Sequence, residues 1–277
     1  MEHLVNYSRK YGSDPTYVCA GGGNTSMKED GVLYVKGSGC QLGTIEPENF
    51  VKMDIDKLLS ILNNVYPEQD SEREAAYMVD CTAAKLPGEE NKRPSVEALL
   101  HALFPQRYVL HLHPALVNGL TCGVDGEKVA NELFPNAIWV AACKPGYTLA
   151  KSLDGKINEN VNTVLLQNHG VFFAGNSEEE LDALVEDMFK KLTSKLPGEL
   201  PSELEDVDLS KPFTPDHIVY CGIGPELPDT DNARLLYRDA QKINWYSKSF
   251  GGPLPLSDEL VQFITHWEAE SYRKSKQ

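Results

Sequence analysis

The chain has 277 residues, 41% of them hydrophobic, enough for one large folded core or a core with an appendage. Its formal net charge of −15 has the wrong sign for phosphate backbones and anionic bilayers, so neither nucleic acid nor a membrane is expected as a partner. Met1-Glu2-His3-Leu4 lacks the regions of a secretory signal and no apolar run is long enough to span a bilayer, so a cytoplasmic location is expected. Six cysteines scattered without a Cys-X-X-Cys are then expected to be reduced.

Residues 3–12 read as a short helix and 17–20 as a strand. Gly21-Gly22-Gly23-Asn24-Thr25-Ser26-Met27-Lys28 reads as a loop. Its glycines permit positive φ and close backbone approach, and its amides can form an anion-binding concavity; a ligand-free tight hairpin accounts for the same residues. Residues 32–36 form the next strand, followed by Gly37-Ser38-Gly39. Loops on neighbouring strands of a meander lie together, which places Lys36 or Lys28 to offset the charge of a bound phosphate, unless either is a solvated surface lysine. Residues 55–62 have helical spacing, and 73–86 read as a helix stopped by Pro87-Gly88.

The stretch from Arg93 to Pro114 carries the chemistry. Ser95 reads as the N-cap of an apolar helical run, which sets Glu97 in the first turn, where the helix dipole favours an ionised carboxylate available to a metal or a proton. Residues 108–113 read as a strand, and alternation puts His111 and His113 on one face. A second apolar run, 163–169, ends on His169. Three imidazoles would leave one corner of a tetrahedral zinc site open, as catalytic zinc sites do; a polar strand face with a turn histidine is the alternative reading. His101 is expected to pack its helix rather than act as a fourth ligand.

Further on, helices are expected from 115 and over 126–133, a strand at 137–142, and a hairpin over 161–174 bent at 168–170. Ser177 begins a capping box for a helix with Leu181, Leu184, Val185, Met188, Phe189 and Leu192 on one stripe. The expected division is a metal-binding domain at 1–197 and a C-terminal extension at 198–277 packing on it. Within the extension, 198–215 reads as a linker, 217–221 as a brief strand, and 257 to about 273 as a capped helix.

With GGGNTSMK, LYVKGSG, RPSVEALLHA, VLHLHP and LLQNHGVFFAG in this order, the chain resembles the class II aldolase/adducin family, most closely the aldolase half of bifunctional rhamnulose-1-phosphate aldolase/dehydrogenase proteins. PDHIVYCG and WEAESYRK add a less specific likeness in the tail. The resemblance implies an α/β fold of three αβα layers around a central, mostly antiparallel sheet. It also implies zinc or another divalent metal on His111, His113 and His169, and Glu97 as the catalytic acid/base. A phosphate pocket follows from Asn24, Ser38, Gly39 and Ser95, with aldehyde contacts from a neighbouring subunit or the C-terminal region. A homo-oligomer is implied, a tetramer by preference.

The implied reaction cleaves a ketose phosphate of the rhamnulose- or fuculose-1-phosphate type to dihydroxyacetone phosphate and an aldehyde. One departure stands out: many sugar-phosphate aldolases have Ser-Ser where this chain has Ser95-Val96, which removes a phosphate donor. The same scaffold serves epimerases, a dehydratase and a decarboxylase, and the epimerases carry aspartate at the Glu97 position. An adducin-like assembly module without chemistry is a further alternative, but such domains lack the three histidines.

Overall fold

Strands β1 (Asn24–Glu29) and β2 (Val32–Lys36) form a hairpin turned at Asp30-Gly31, both with positive φ. In the computed structural model, which describes residues 1–276, this hairpin belongs to one seven-stranded sheet; residue 277 of the expected extension lies outside the described residues. The other strands are β3 (Phe50–Asp54), β4 (Tyr108–Leu112), β5 (Ile138–Val140), β6 (Thr163–Leu166) and β7 (Gly170–Gly175). Their order is β3-β2-β1-β4-β7-β6-β5, and every pairing is antiparallel except β5 with β6.

Alternation along the strands divides the core between two faces. Val109, with Val35, Val51 and Phe172, packs beneath the helices Ile55–Ser60, Asp70–Ala83, Ala98–Leu103 and Tyr147–Ser152. Leu110 and Leu112, with Leu165, Val171 and Phe173, pack against Glu2–Gly12, Ala115–Thr121, Gly126–Leu133 and Glu178–Thr193. Each such side chain taken from water stabilises the fold by about 1.5–3 kcal/mol. The result is the three-layer αβα arrangement with a mostly antiparallel sheet that the family resemblance implies.

Several elements differ from expectation. Residues 17–20 form turns, and the polar segment Asn24–Glu29 is the strand, paired on both sides by β2 and β4. Its hydrophilic composition hides it because Asn24 and Ser26 face a polar site rather than solvent. The helix after Ser95 begins at Ala98, so Glu97 is its N-cap residue and not part of its first turn. Ser95 caps nothing; its Oγ accepts the Glu97 N–H at 3.2 Å in a local turn.

Residues 215–221 form a helix, Pro215–Cys221, where a strand is expected from the β-branched run. Pro215 at its first turn and a capping box between Thr214 and His217 decide the outcome locally. A 17-residue helix, Asp231–Ser247, is capped by Thr230 and buries Ala233, Leu236, Ala240 and Ile243. The terminal helix is interrupted at Trp267, where extended backbone separates Asp258–His266 from Glu268–Ser275.

The residues after 197 pack closely on the sheet-bearing part. Phe213, Ala240 and Ile243 share a cluster with Ala115 and Cys122. Asn168, in the β6–β7 turn with φ of 57°, donates from its carboxamide to the carbonyls of Phe213 and Leu254 at 3.1 and 2.7 Å. The turn bearing His169 is thereby tied to the extension.

Candidate metal centre

β4 places His111 on the face beneath the helix Ala98–Leu103, opposite Asn24 on β1 and Phe172 on β7. Its ring stacks on Phe172 at 3.9 Å, and its Nδ1–H donates to the Val171 carbonyl at 3.0 Å, so Nε2 is the unprotonated nitrogen. His113 lies just beyond β4; its Nδ1 pairs with the Asp216 carboxylate at 2.5 Å. That arrangement likewise leaves Nε2 with a lone pair. The Nε2 atoms of the two rings are 2.9 Å apart.

His169 completes the group from the β6–β7 turn, and one nitrogen from each of the three rings lies within 4.8 Å of the others. Burial depresses the proton affinity of His111 and His169. His111 is held well below the usual imidazole range by desolvation and then by His113. His169 is pushed down to about 3, burial outweighing the raising effect of Glu97. Three imidazoles whose ring nitrogens converge in this way suit a divalent cation.

Glu97 supplies a carboxylate at the edge of this group, its oxygens 3.5 Å from His111 Nε2 and 3.7 Å from His169 Nε2. Oε2 accepts from Asn24 Nδ2 at 2.7 Å, whereas Oε1 is buried with no hydrogen-bond partner. A buried, unsatisfied carboxylate oxygen beside three converging imidazoles is a donor set that suits a divalent cation. Zinc or another divalent ion therefore fits the residues present.

Behind Glu97 runs a buried chain. His101 Nε2 pairs with Asn24 Oδ1 and its Nδ1 with Ser26 Oγ at 2.7 Å; the roles consistent with Asn24 donating to Glu97 are Nε2–H as donor and Ser26 O–H as donor. His101 thus stands behind the site as an orienting group, held neutral by burial, and is no ligand of the trio.

A cleft of about 560 Å3, partly open to solvent, meets this group. Asn24, Ser38, Gly39, Ser95, Glu97, His113 and His169 all line it, together with Lys36. The two glycine loops do lie together. Lys28 is elsewhere, donating to the Gln106 carbonyl at 3.0 Å. The expected amide concavity of the first loop is largely used internally: Gly21 N–H donates to Tyr220 Oη and Gly22 N–H to the Cys19 carbonyl.

Close packing of the rings depends on Gly170. A Cβ there would come within 2.4 Å of the Leu112 carbonyl oxygen and 2.7 Å of His113 Cδ2. Sequence reasoning missed Asp216, and also Ala269 and Glu270, which form a wall of the cleft from the extension. The capping-box signature Thr214-Pro215-X-His217 locates the helix that carries Asp216, but nothing local reveals its partner.

A family model described as the class II aldolase and adducin N-terminal domain matches residues 2–188. The uncharacterized oxidoreductase YuxG of Bacillus subtilis (strain 168) is 34% identical over 192 residues, a match covering 65% of this chain and 27% of YuxG. The chain therefore spans about a quarter of the length of that relative. Among solved structures, the N-terminal class II aldolase domain of a conserved protein from Thermoplasma acidophilum superposes with a TM-score of 0.60 at 28% identity, covering 69% of this chain and 91% of that one. YgbL from Klebsiella pneumoniae, a putative aldolase/epimerase/decarboxylase, shares the fold with a TM-score of 0.52 at 19% identity over 74% and 92% of the two chains.

Proposed function

Since the chain belongs to the class II aldolase and adducin family, we propose that it is a divalent-metal-dependent aldolase that cleaves a ketose phosphate of the rhamnulose- or fuculose-1-phosphate type to dihydroxyacetone phosphate and an aldehyde. The observation that carries this reading is the convergence of His111, His113 and His169 beside the unsatisfied Oε1 of Glu97 at the floor of a cleft. A divalent cation held by the three imidazoles, zinc by preference, supplies Lewis-acid stabilisation of the charge that develops as the carbon–carbon bond breaks.

The remaining work falls to the chain's own groups. Glu97 carries the proton to and from the carbon that loses its aldehyde, and Asn24 holds the carboxylate in place through Oε2 at 2.7 Å. Asn24, expected at the phosphate, has its carboxamide engaged by Glu97 and His101, so Ser38, Gly39 and Ser95 receive the phosphate, and Lys36 at the mouth of the second loop supplies positive charge beside it. Ser95 suits this role because its Oγ accepts from Glu97 N–H, leaving the hydroxyl proton for a phosphate oxygen. Holding the phosphate registers the reacting carbons against Glu97 and the imidazoles.

The buried ionisable site argues against an assembly module, for which such a cluster would only cost stability. The test is metal analysis of protein purified without chelator, followed by a retro-aldol screen of ketose 1-phosphates with coupled detection of dihydroxyacetone phosphate. Metal-dependent release of that product supports the reading. A metal-bearing protein inert on every ketose phosphate but active in epimerisation or decarboxylation moves it to another reaction on the scaffold, and a metal-free, inert protein returns it to the adducin-like alternative.

A further inference from the structure

His113 and Asp216 are 103 positions apart in sequence and meet at 2.5 Å, both nearly excluded from solvent. We propose that Asp216 is a positioning residue of the metal centre: its carboxylate accepts the Nδ1–H of His113 and so fixes the ring and tautomer that present Nε2 to the other two imidazoles. The inference rests on the metal reading above.

The need for such a partner follows from where His113 sits. His111 lies within β4, and its Nδ1–H is held by the Val171 carbonyl of the neighbouring strand. His113 is one residue past the end of β4, with its backbone N–H bonded to the Tyr17 carbonyl and its ring nitrogens paired with Asp216 and His111 rather than with a strand carbonyl. A histidine whose ring nitrogens are otherwise equivalent binds a cation through whichever one lacks the proton. Asp216 makes that choice at Nδ1.

The surroundings are shaped to keep the pair together. Asp216 is delivered by the helix Pro215–Cys221, whose start is set by the Thr214–His217 capping box. His217 Nε2 in turn pairs with Asp239 Oδ2 at 3.3 Å, which moors this short helix to Asp231–Ser247. On the opposite side, a Cβ at Gly22 would lie 2.7 Å from Asp216 Oδ2 and 3.0 Å from His113 Nδ1. The glycine loop therefore closes over the hydrogen bond because that residue has no side chain. A carboxylate–histidine pairing of this kind raises ligand basicity as well as orienting the ring.

The experiment measures zinc affinity of the full chain by competition with a chromogenic chelator, for wild type, Asp216→Ala and Asp216→Asn, alongside the melting of each metal-free protein. Asp216→Ala is expected to bind zinc roughly 10–100-fold more weakly. Asp216→Asn, whose amide oxygen still accepts from Nδ1–H, is expected to recover part of that loss. Wild-type zinc affinity in both variants, with or without a change in melting, overturns the proposal while leaving the metal centre standing. A wild type that binds no zinc overturns both.

Should Asp216→Ala fail to fold, nitrogen NMR of the wild-type imidazoles decides. Coordination of zinc by His113 through Nε2, with a protonated Nδ1, is the expected result, and coordination through Nδ1 contradicts it.

Discussion

Glu97→Gln separates the acid/base role of this residue from its structural one, because the two make opposite demands. The amide oxygen of glutamine can keep the 2.7 Å bond from Asn24 Nδ2, while its new NH2 takes the position of Oε1, facing His169 Nε2 at 3.7 Å. In metal-free protein the substitution removes a buried carboxylate oxygen that has no partner. Leaving such a group unsatisfied costs about 1–3 kcal/mol, and once the amide closes to hydrogen-bond distance of the His169 ring nitrogen that cost is relieved, so the metal-free variant should be more stable than wild type by up to that order. For a chain of this size that is a rise in Tm of roughly 2–6 °C. With zinc added the order should narrow or reverse, since the wild type regains a counter-charge for its carboxylate and the variant does not. Turnover should fall by about 10²- to 10⁴-fold, the range a positioned acid/base contributes, with metal still bound at saturating zinc. Thermal denaturation with and without zinc and the coupled retro-aldol assay read both effects. Full activity, or a metal-free variant less stable than wild type, would refute the reasoning.

Gly170→Ala should abolish metal binding and destabilise the fold by about 1–3 kcal/mol, because the added carbon meets a backbone carbonyl and the His113 ring; urea denaturation and metal analysis check both. Lys36→Met should raise KM for a phosphorylated substrate about 10–100-fold, the loss of one buried charge-assisted contact, with much less effect on a phosphate-free analogue; equal effects on both would remove Lys36 from phosphate binding. His169 and His111 have folded-state proton affinities below that of a free imidazole, so the unfolded chain binds the extra protons as pH falls below about 6.5. Stability of the metal-free protein should therefore be full above that pH and decline on acidification towards the folded value of about 3 for His169, by at most about 1.4 kcal/mol per pH unit per group. Urea midpoints at descending pH test this, and a midpoint that rises on acidification across that window contradicts it.

The trio was legible because its signal is local and periodic. Two histidines at strand spacing must share a face, and an apolar run ending in Asn168-His169-Gly170 must turn there. The layered α/β fold came from the family resemblance carried by motifs such as VLHLHP and LLQNHGVFFAG, while periodicity alone marked single elements such as the Glu178–Thr193 helix. Where pattern and burial part company, the sequence misleads. Asn24–Glu29 looks like a loop since its inward residues are polar, yet that polarity is what the site needs. His-Ile-Val-Tyr-Cys at 217–221 looks like a strand by composition, but capping by Thr214 and Pro215 overrides propensity. Asp216 was out of reach altogether, because its meaning comes from His113 across a tertiary contact.

The most direct measurement is the metal content of the purified chain, wild type beside His169→Ala, after dialysis against metal-free buffer and repletion with limiting zinc. The account predicts one tightly held zinc per wild-type chain and its loss from the variant. A wild type that retains none, or a variant that retains as much, would contradict it.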